Sequence, residues 1–319
     1  MTEDILVFVR HLGGEVTDAT YELIATARSL AGQTGGSVDA AVIGTGAAGL
    51  AGSLSGADRV LVADTDAFGA FNPQGHAEVF ASIVADRQPA ITLVPYTSVG
   101  MDVGNQVAAG SGQPLVSYCL KVDAGDGLTA TCQLYSGKVE ADVEVDGDRA
   151  VFAMLAGAAS ADDGRSGGAG TVEAIAIDVP DLAVTFVGLA EPEAGDVDIT
   201  SEDILVAIGR GIESEDNIEE AQELADALGA ALAASRPIID QGWLPKTRQV
   251  GKSGMSVKPK VYLALGISGA PEHLEGMRDS ATIIAVNSDP QAPIFGVAHY
   301  GWAGDLFDFI PEFTDLLEA

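Results

Sequence analysis

VYLALGISGAPEHL, residues 261–274, runs an apolar five-residue segment into a glycine-punctuated turn and then into a helix start marked by Pro271. Proline suits the first turn because the N–H it lacks would have had no helical partner there. Two more segments of the same third of the chain end on similar punctuation: ILVAI, 204–208, on Gly209-Arg210-Gly211, and TIIAV, 282–286, on Asn287. Short apolar runs separated by helical stretches predict parallel strands in a sheet covered by helices. Strands are expected at 204–208, 261–265, 282–287 and 294–298, with helices near 217–229, 271–276 and 304–317. Residues 203–319 thus read as a doubly wound α/β domain. In such sheets the ligand crevice lies at the carboxyl ends of the strands, where a helix start aims free N–H groups at an anion such as a diphosphate. The pattern predicts a nucleotide cofactor here.

Working outward, the first 110 residues alternate in the same way. Ile5–Val9, Val38–Ile43, Arg59–Val62 and Ala90–Val94 read as strands; Ala19–Leu30, Ala47–Leu54 and His76–Ala85 read as helices. Leu128–Tyr135, Lys138–Val145 and Arg149–Met154, separated by Gly-Asp or Ser-Gly turns, predict an antiparallel meander extending that sheet's edge. Residues 156–170 read as a flexible loop, followed by strands at Val172–Asp178 and Ala183–Val187. The acidic, aperiodic Leu189–Glu202 is the expected linker. The fold class is therefore α/β: two α/β domains, 1–188 and 203–319, each with a mainly parallel sheet flanked by helices, the first extended by antiparallel strands.

Acids outnumber bases 47 to 16 in the 319 residues, a net charge of −31 with a pI near 4.1. Such a field repels nucleic acid and anionic lipid, which excludes general polyanion binding. Scattered carboxylates and only six lysines suit the cytoplasm of a halophile. Cys119 and Cys132 provide neither a disulfide framework nor a metal quartet. The amino terminus MTEDILVFVR is not a signal peptide, and the longest uncharged windows, 40–57 and 103–120, are too polar to span a bilayer. A cytoplasmic protein without direct membrane insertion is expected.

Gly44-Thr-Gly46-Ala-Ala-Gly49 follows a strand and opens a helix, as a dinucleotide-binding turn does, with Asp64 and Asp66 after the next strand. Against that role, its strand starts near residue 38 and Asp64 lies only 15 residues past Gly49. Gly251-Lys252-Ser253 resembles the end of a P-loop, but Lys246 stands where the first glycine belongs. Between Arg236 and Lys260 lie six bases against the single acid Asp240, a basic island that reads as an anion site or docking surface. The alternative is a patch paired with the chain's own acids.

The segments SRPIIDQGWLP (235–245), QVGKSG (249–254), VKPKVYLALGISGAPEHLEGM (257–277), IIAVNSDPQAPIF (283–295) and HYGWAGDLF (299–307) closely resemble the FAD-binding domain of electron transfer flavoprotein alpha subunits. The likeness covers 203–319; the amino-terminal half resembles that family only in layout. It implies FAD held between this domain and a beta subunit, with none on the first domain, which demotes Gly44–Gly49. Matched to the family's pattern, Arg210 lies near the cofactor and Ser235-Arg236 places the arginine against the flavin ring. Val250, Gly251, Lys252 and Ser253 form the flavin loop. Ser268, Gly269, Ala270, Pro271, Glu272 and His273 surround the diphosphate and flavin, Asn287 ends a strand beside them, and Asp305-Leu306 lies on the adenosine side. Ser253 replaces the usual Thr, Lys252 the usual Gln, and His299 a common Asp.

The resemblance further implies an electron carrier, accepting from flavin dehydrogenases and delivering to a quinone oxidoreductase or similar acceptor. Arg236 and His273 would favour the negative charge that reduction places on the flavin. One variant is an electron-bifurcating subunit, with a second FAD in beta and NADH as reductant. A reading from a different class is an NAD-dependent dehydrogenase using Gly44–Gly49. No hydrolytic triad, metal-ligand cluster or paired-carboxylate motif stands out, as befits a carrier.

Overall fold

Ile5–Val9 (β1) is apolar and buried at every position, the mark of a strand covered on both faces. The computed structural model, which describes residues 3–135, 139–179, 181–189 and 197–318, divides into two units, Met1–Leu189 and Ala190–Ala319. In the first, β1 leads through a small hairpin, His11–Leu12 (β2) and Glu15–Val16 (β3), into Asp18–Thr34 (α1). Val38–Gly44 (β4), Ala47–Leu50 (α2), Arg59–Asp64 (β5), Pro73–Arg87 (α3), Ile91–Pro95 (β6) and Ser98–Ser111 (α4) continue the alternation. Leu115–Asp123 (β7), Thr129–Leu134 (β8), Val139–Glu144 (β9), Ala150–Met154 (β10), Ala161–Arg165 (α5) and Thr171–Ala174 (β11) complete it.

The sheet runs β11-β5-β4-β1-β6-β10-β7-β8-β9. Only β7–β8 and β8–β9 pair antiparallel. The antiparallel extension exists, but its membership differs from expectation. Arg149–Met154 is not its last strand: β10 crosses back between β6 and β7, parallel to both, and is buried throughout. Lys138, the expected start of the middle strand, lies outside the described residues. Val172–Asp178 supplies a strand only to Ala174, on the opposite edge beside β5, and Ala183–Val187 is irregular. The latter has β-rich composition but lies along the start of α3, where Asn72 Nδ2 donates to Val184 O at 2.8 Å. Residues 190–196 of the expected linker also lie outside the described residues.

In the second unit the order of elements is Ile204–Ile208 (β12), Ile218–Leu228 (α6), Ala231–Ala234 (β13), Arg236–Asp240 (α7), Val261–Leu265 (β14), Pro271–Leu274 (α8), Thr282–Asn287 (β15), Tyr300–Ala303 (β16) and Leu306–Glu318 (α9). Its sheet, β13-β12-β14-β15-β16, is parallel at every pairing. Two strands depart from expectation. Residues 294–298 do not form one: Pro293–Gly296 is a 3₁₀ turn, and the edge strand follows at β16. Ala231–Ala234 is a strand despite a helix-like composition, because its four positions are buried against β12. From β12 the chain goes out to β13 and returns on the other side as β14. The reversal places the crevice of this unit at the carboxyl ends of β12 and β14.

Candidate functional site

Those two strand ends meet through glycine. A Cβ on Gly209 would lie 2.5 Å from the Gly266 carbonyl oxygen, and one on Gly266 would lie 2.7 Å from Gly211 Cα. Gly211 N–H donates to Gly266 O at 3.0 Å, so the turns interlock backbone to backbone, with Arg210 exposed between the glycines. Gly269 has φ +83°, and a Cβ there would sit 2.3 Å from Ile294 N. Only glycine allows both that dihedral and that approach.

The turn is braced from β15. Asn287 Nδ2 donates to Ile267 O and its Oδ1 accepts from Asp289 N–H, both at 2.9 Å. Ile294 N–H donates to Ser268 O at 3.0 Å. Leu306 is buried, its Cδ2 3.0 Å from the position a Gly266 Cβ would take. Asp305 caps α9 by accepting from Phe307 N–H at 3.0 Å. The expected helix at 271–276 is shorter: α8 is a single turn, Pro271–Leu274, so the dipole anticipated at its start is correspondingly small.

The 249–254 loop folds onto α8. Lys252 N–H donates to Glu272 O at 2.7 Å, and a Cβ on Gly276 would be 2.5 Å from Gly251 Cα. Val250, Gly251, Lys252 and Ser253 are thereby brought to Glu272 and His273. Val250 N–H donates to Ala234 O at 2.9 Å, which sets Ser235 and Arg236 next along the chain from the same loop. Ser235 is buried; Arg236 is exposed, its Nε 3.3 Å from Asp240 Oδ2.

Sequence reasoning missed two participants. Buried Gln249 donates from Nε2 to Ser253 Oγ at 2.9 Å, leaving the serine proton to donate elsewhere. Tyr262, wholly buried in β14, meets His273 Nε2 at 2.9 Å. The signal was a tyrosine amid apolar strand residues, since a buried hydroxyl needs a partner. His273 is 6% exposed, and burial lowers its pKa to about 4. The Val250 backbone opposes that shift, and Nδ1, also buried, has no hydrogen-bond partner.

The basic island is largely paired with the chain's own acids. Arg236 pairs with Asp240, Lys252 with Glu275, Lys258 with Asp279 and Lys260 with Asp203, at 2.7–3.8 Å. Arg248 Nη1 donates to Leu232 O at 2.8 Å. The island is thus less an open anion surface than the sequence suggests. The charge of Lys252 is drawn toward Glu275. Exposed pairs of this kind contribute about 0–1 kcal/mol, so exchanging one for a ligand costs little. His299 braces the sheet: Ile283 N–H donates to its Nδ1 at 2.9 Å, and its own N–H donates to Ile283 O at 2.8 Å.

Gly44–Gly49 is built differently. It follows β4, away from the reversal between β1 and β6 in its own sheet. Asp64 fills its anion position, Oδ1 accepting from Gly46 N–H and Oδ2 from Ala48 N–H, both at 3.1 Å. Among the described residues, no His, Cys, Asp and Glu cluster of three or more could hold a metal, and no helix is long and apolar enough to cross a membrane.

The second unit's crevice fits a nucleotide cofactor carrying a polar ring system. It combines glycine-lined backbone approach at the reversal, a buried imidazole nitrogen without a partner, a serine hydroxyl with a proton to donate and weakly held cations. The family model for the electron transfer flavoprotein domain matches residues 5–182, and that for the electron transfer flavoprotein FAD-binding domain matches 198–278. The electron transfer flavoprotein subunit alpha of Mycobacterium leprae is 35% identical, covering 99% of this chain and 98% of that one. Its Bacillus subtilis counterpart is 34% identical, over 99% and 97%. The lactate dehydrogenase (NAD(+),ferredoxin) subunit LctC of Acetobacterium woodii is also 34% identical, over 99% and 77%.

Proposed function

The chain belongs to the electron transfer flavoprotein alpha-subunit family, and we propose that it carries electrons on an FAD bound by residues 203–319 in a heterodimer with a beta subunit. The observation that carries this reading is the partnerless, buried Nδ1 of His273, in the helical turn that follows Gly266–Gly269 and packs on the Gly251 loop. Arg210, Ser235, Arg236, Val250–Ser253, Ser268–His273, Asn287 and Asp305-Leu306 hold the cofactor. Residues 1–188 form a separate domain, joined through 189–202.

When bound, FAD supplies the redox chemistry at its ring. The chain's contribution is placement and field. Gly209, Gly211 and Gly266 keep the crevice floor free of Cβ atoms. Ser253, oriented by Gln249, would offer its hydroxyl as a hydrogen-bond donor to the ring, and Arg236, held only by an exposed pair with Asp240, would supply a permanent positive charge beside it. Asn287, at its strand end, also braces the Gly266–Gly269 turn through Ile267 O.

Flavin dehydrogenases are the donors and a quinone oxidoreductase or similar acceptor takes the electrons. The site of action is the cytoplasm, and the net charge of −31 suits concentrated salt, where self-repulsion is screened. Circular dichroism in dilute buffer should show lost structure that molar salt restores. The test of the main reading is co-expression with the beta subunit. A yellow heterodimer with one FAD is expected, and a colourless complex, or one whose flavin is unaffected by Arg236→Ala, refutes it.

A second reading has support from the relative named for an NAD- and ferredoxin-linked lactate dehydrogenase. A bifurcating heterodimer would carry a second FAD in beta, reduced by NADH, so two flavins per dimer would select it. The dehydrogenase reading on Gly44–Gly49 is disfavoured by Asp64, which occupies the donors that a pyrophosphate would need.

A further inference from the structure

Tyr262 is 0% exposed, and among the described residues its hydroxyl has one hydrogen-bond partner, His273 Nε2, at 2.9 Å. That contact can be made in two ways. If His273 donates from Nε2, the tyrosine proton is left in the core without an acceptor, and the bare Nδ1 is left without a donor. If Tyr262 donates, the only group left without a partner is the Nδ1–H. One orphan costs less than two, because each buried polar group without a partner loses its hydration uncompensated. Burial keeps both groups uncharged near neutrality: it raises the Tyr262 pKa well above its ordinary value and lowers that of His273 to about 4. The choice is therefore between two neutral tautomers.

We infer that Tyr262 is a positioning residue, whose hydroxyl donates to His273 Nε2 and so keeps the imidazole proton on Nδ1, where it serves as a neutral hydrogen-bond donor to the bound flavin. The inference rests on the flavin-site reading for its last clause and on the geometry of this chain alone for the rest. A histidine that donates while neutral works without taking up a proton at physiological pH. It differs in this from Arg236, which acts by permanent charge.

The primary test is nitrogen NMR of the full chain labelled with ¹⁵N-histidine, with the His273 signal assigned by its loss in His273→Gln. A wild-type imidazole protonated on Nδ1 by at least about tenfold over the other tautomer is expected. In Tyr262→Phe, which keeps the ring and removes the hydroxyl, the preference should fall to near parity or reverse. A proton on Nε2 in the wild type overturns the inference, and should His273→Gln not fold, replacing His11, His76 and His299 one at a time assigns the same signal by elimination. In the flavin-loaded complex, the ring vibrations of the flavin should shift in Tyr262→Phe as a donor to the ring is lost; an unmoved vibrational spectrum overturns the donor role. A complex without flavin would sink the functional reading by itself, while the nitrogen signals would still decide what Tyr262 does.

Discussion

Two glycine-rich turns follow parallel strands in this chain, Gly44–Gly49 after β4 and Gly266–Gly269 after β14, and they differ in what fills the space their glycines open. In the first, a carboxylate of the chain takes the backbone donors, and a Cβ on Gly46 or Gly49 would meet nothing within 4 Å. In the second, glycine is required because neighbouring backbone presses in from Gly211 and Ile294. A glycine pattern by itself therefore says little about ligands. The informative facts are whether the donors are already taken and whether the turn sits where the strand order reverses.

The sharpest way to break that contrast is a matched pair of alanines. Gly269→Ala should cost about 3 kcal/mol or more, combining overpacking with left-handed strain, whereas Gly46→Ala should cost about 1–2 kcal/mol from the dihedral alone. Trp243 and Trp302 both lie in the second unit, so urea titration by tryptophan fluorescence reads the first variant. Hydrogen exchange along β4 reads the other. Equal losses would erase the distinction.

Each region also holds a buried histidine whose pKa burial lowers to about 4, His76 near Gly44 and His273 near Gly251. The unfolded imidazole takes its proton near pH 6.5, the folded one only near 4. Stability present above 6.5 should therefore fall with pH across that window and level off below it. The loss is on the order of 3 kcal/mol per histidine. His76→Gln should flatten the curve for the first unit and His273→Gln for the second; a flat wild-type curve would contradict both assignments.

Arg236→Ala probes the second region alone. Folding should change by less than about 0.5 kcal/mol, the worth of an exposed i,i+4 pair. The first reduction potential of the bound flavin should drop by roughly 65–130 mV, the equivalent of one charge-assisted hydrogen bond. Spectroelectrochemical titration of the heterodimer decides. Smaller than that shift in potential is the effect of Asp64→Ala, which frees two N–H groups at the start of α2 and should cost about 1 kcal/mol by thermal melting, without touching flavin binding. A gain of dinucleotide affinity in that variant would show that the carboxylate was masking a functional turn.

Layers and strand existence were legible because β1, β4, β12 and β14 are apolar at nearly every position, as doubly covered strands must be. Strand order was not, since nothing local to Ala150–Met154 says that it inserts between β6 and β7. The misplacement at 294–298 has a local cause: Ile294, Phe295 and Val297 favour a strand, but Pro293 opens a 3₁₀ turn whose N–H groups bond within the segment and back to Ser268. β16 was hidden by its exposed, glycine-containing YGWA. At the candidate site, family likeness named the loops, while the electrostatic partners came only with three dimensions. Asp240 could be placed one helical turn from Arg236 on paper; Glu275 against Lys252, and Gln249 against Ser253 across an irregular loop, could not.

The interlocked glycines leave the chain an unusual evolutionary constraint. A clash between two side chains can be relieved by trimming either one, but Gly211 and Gly266 have nothing left to trim. A methyl gained on Gly266 would meet the main chain of the opposing turn, so no second side-chain substitution restores the fit. Lineages carrying this crevice are held there by geometry, and variation that alters electron transfer must enter through the surrounding loops.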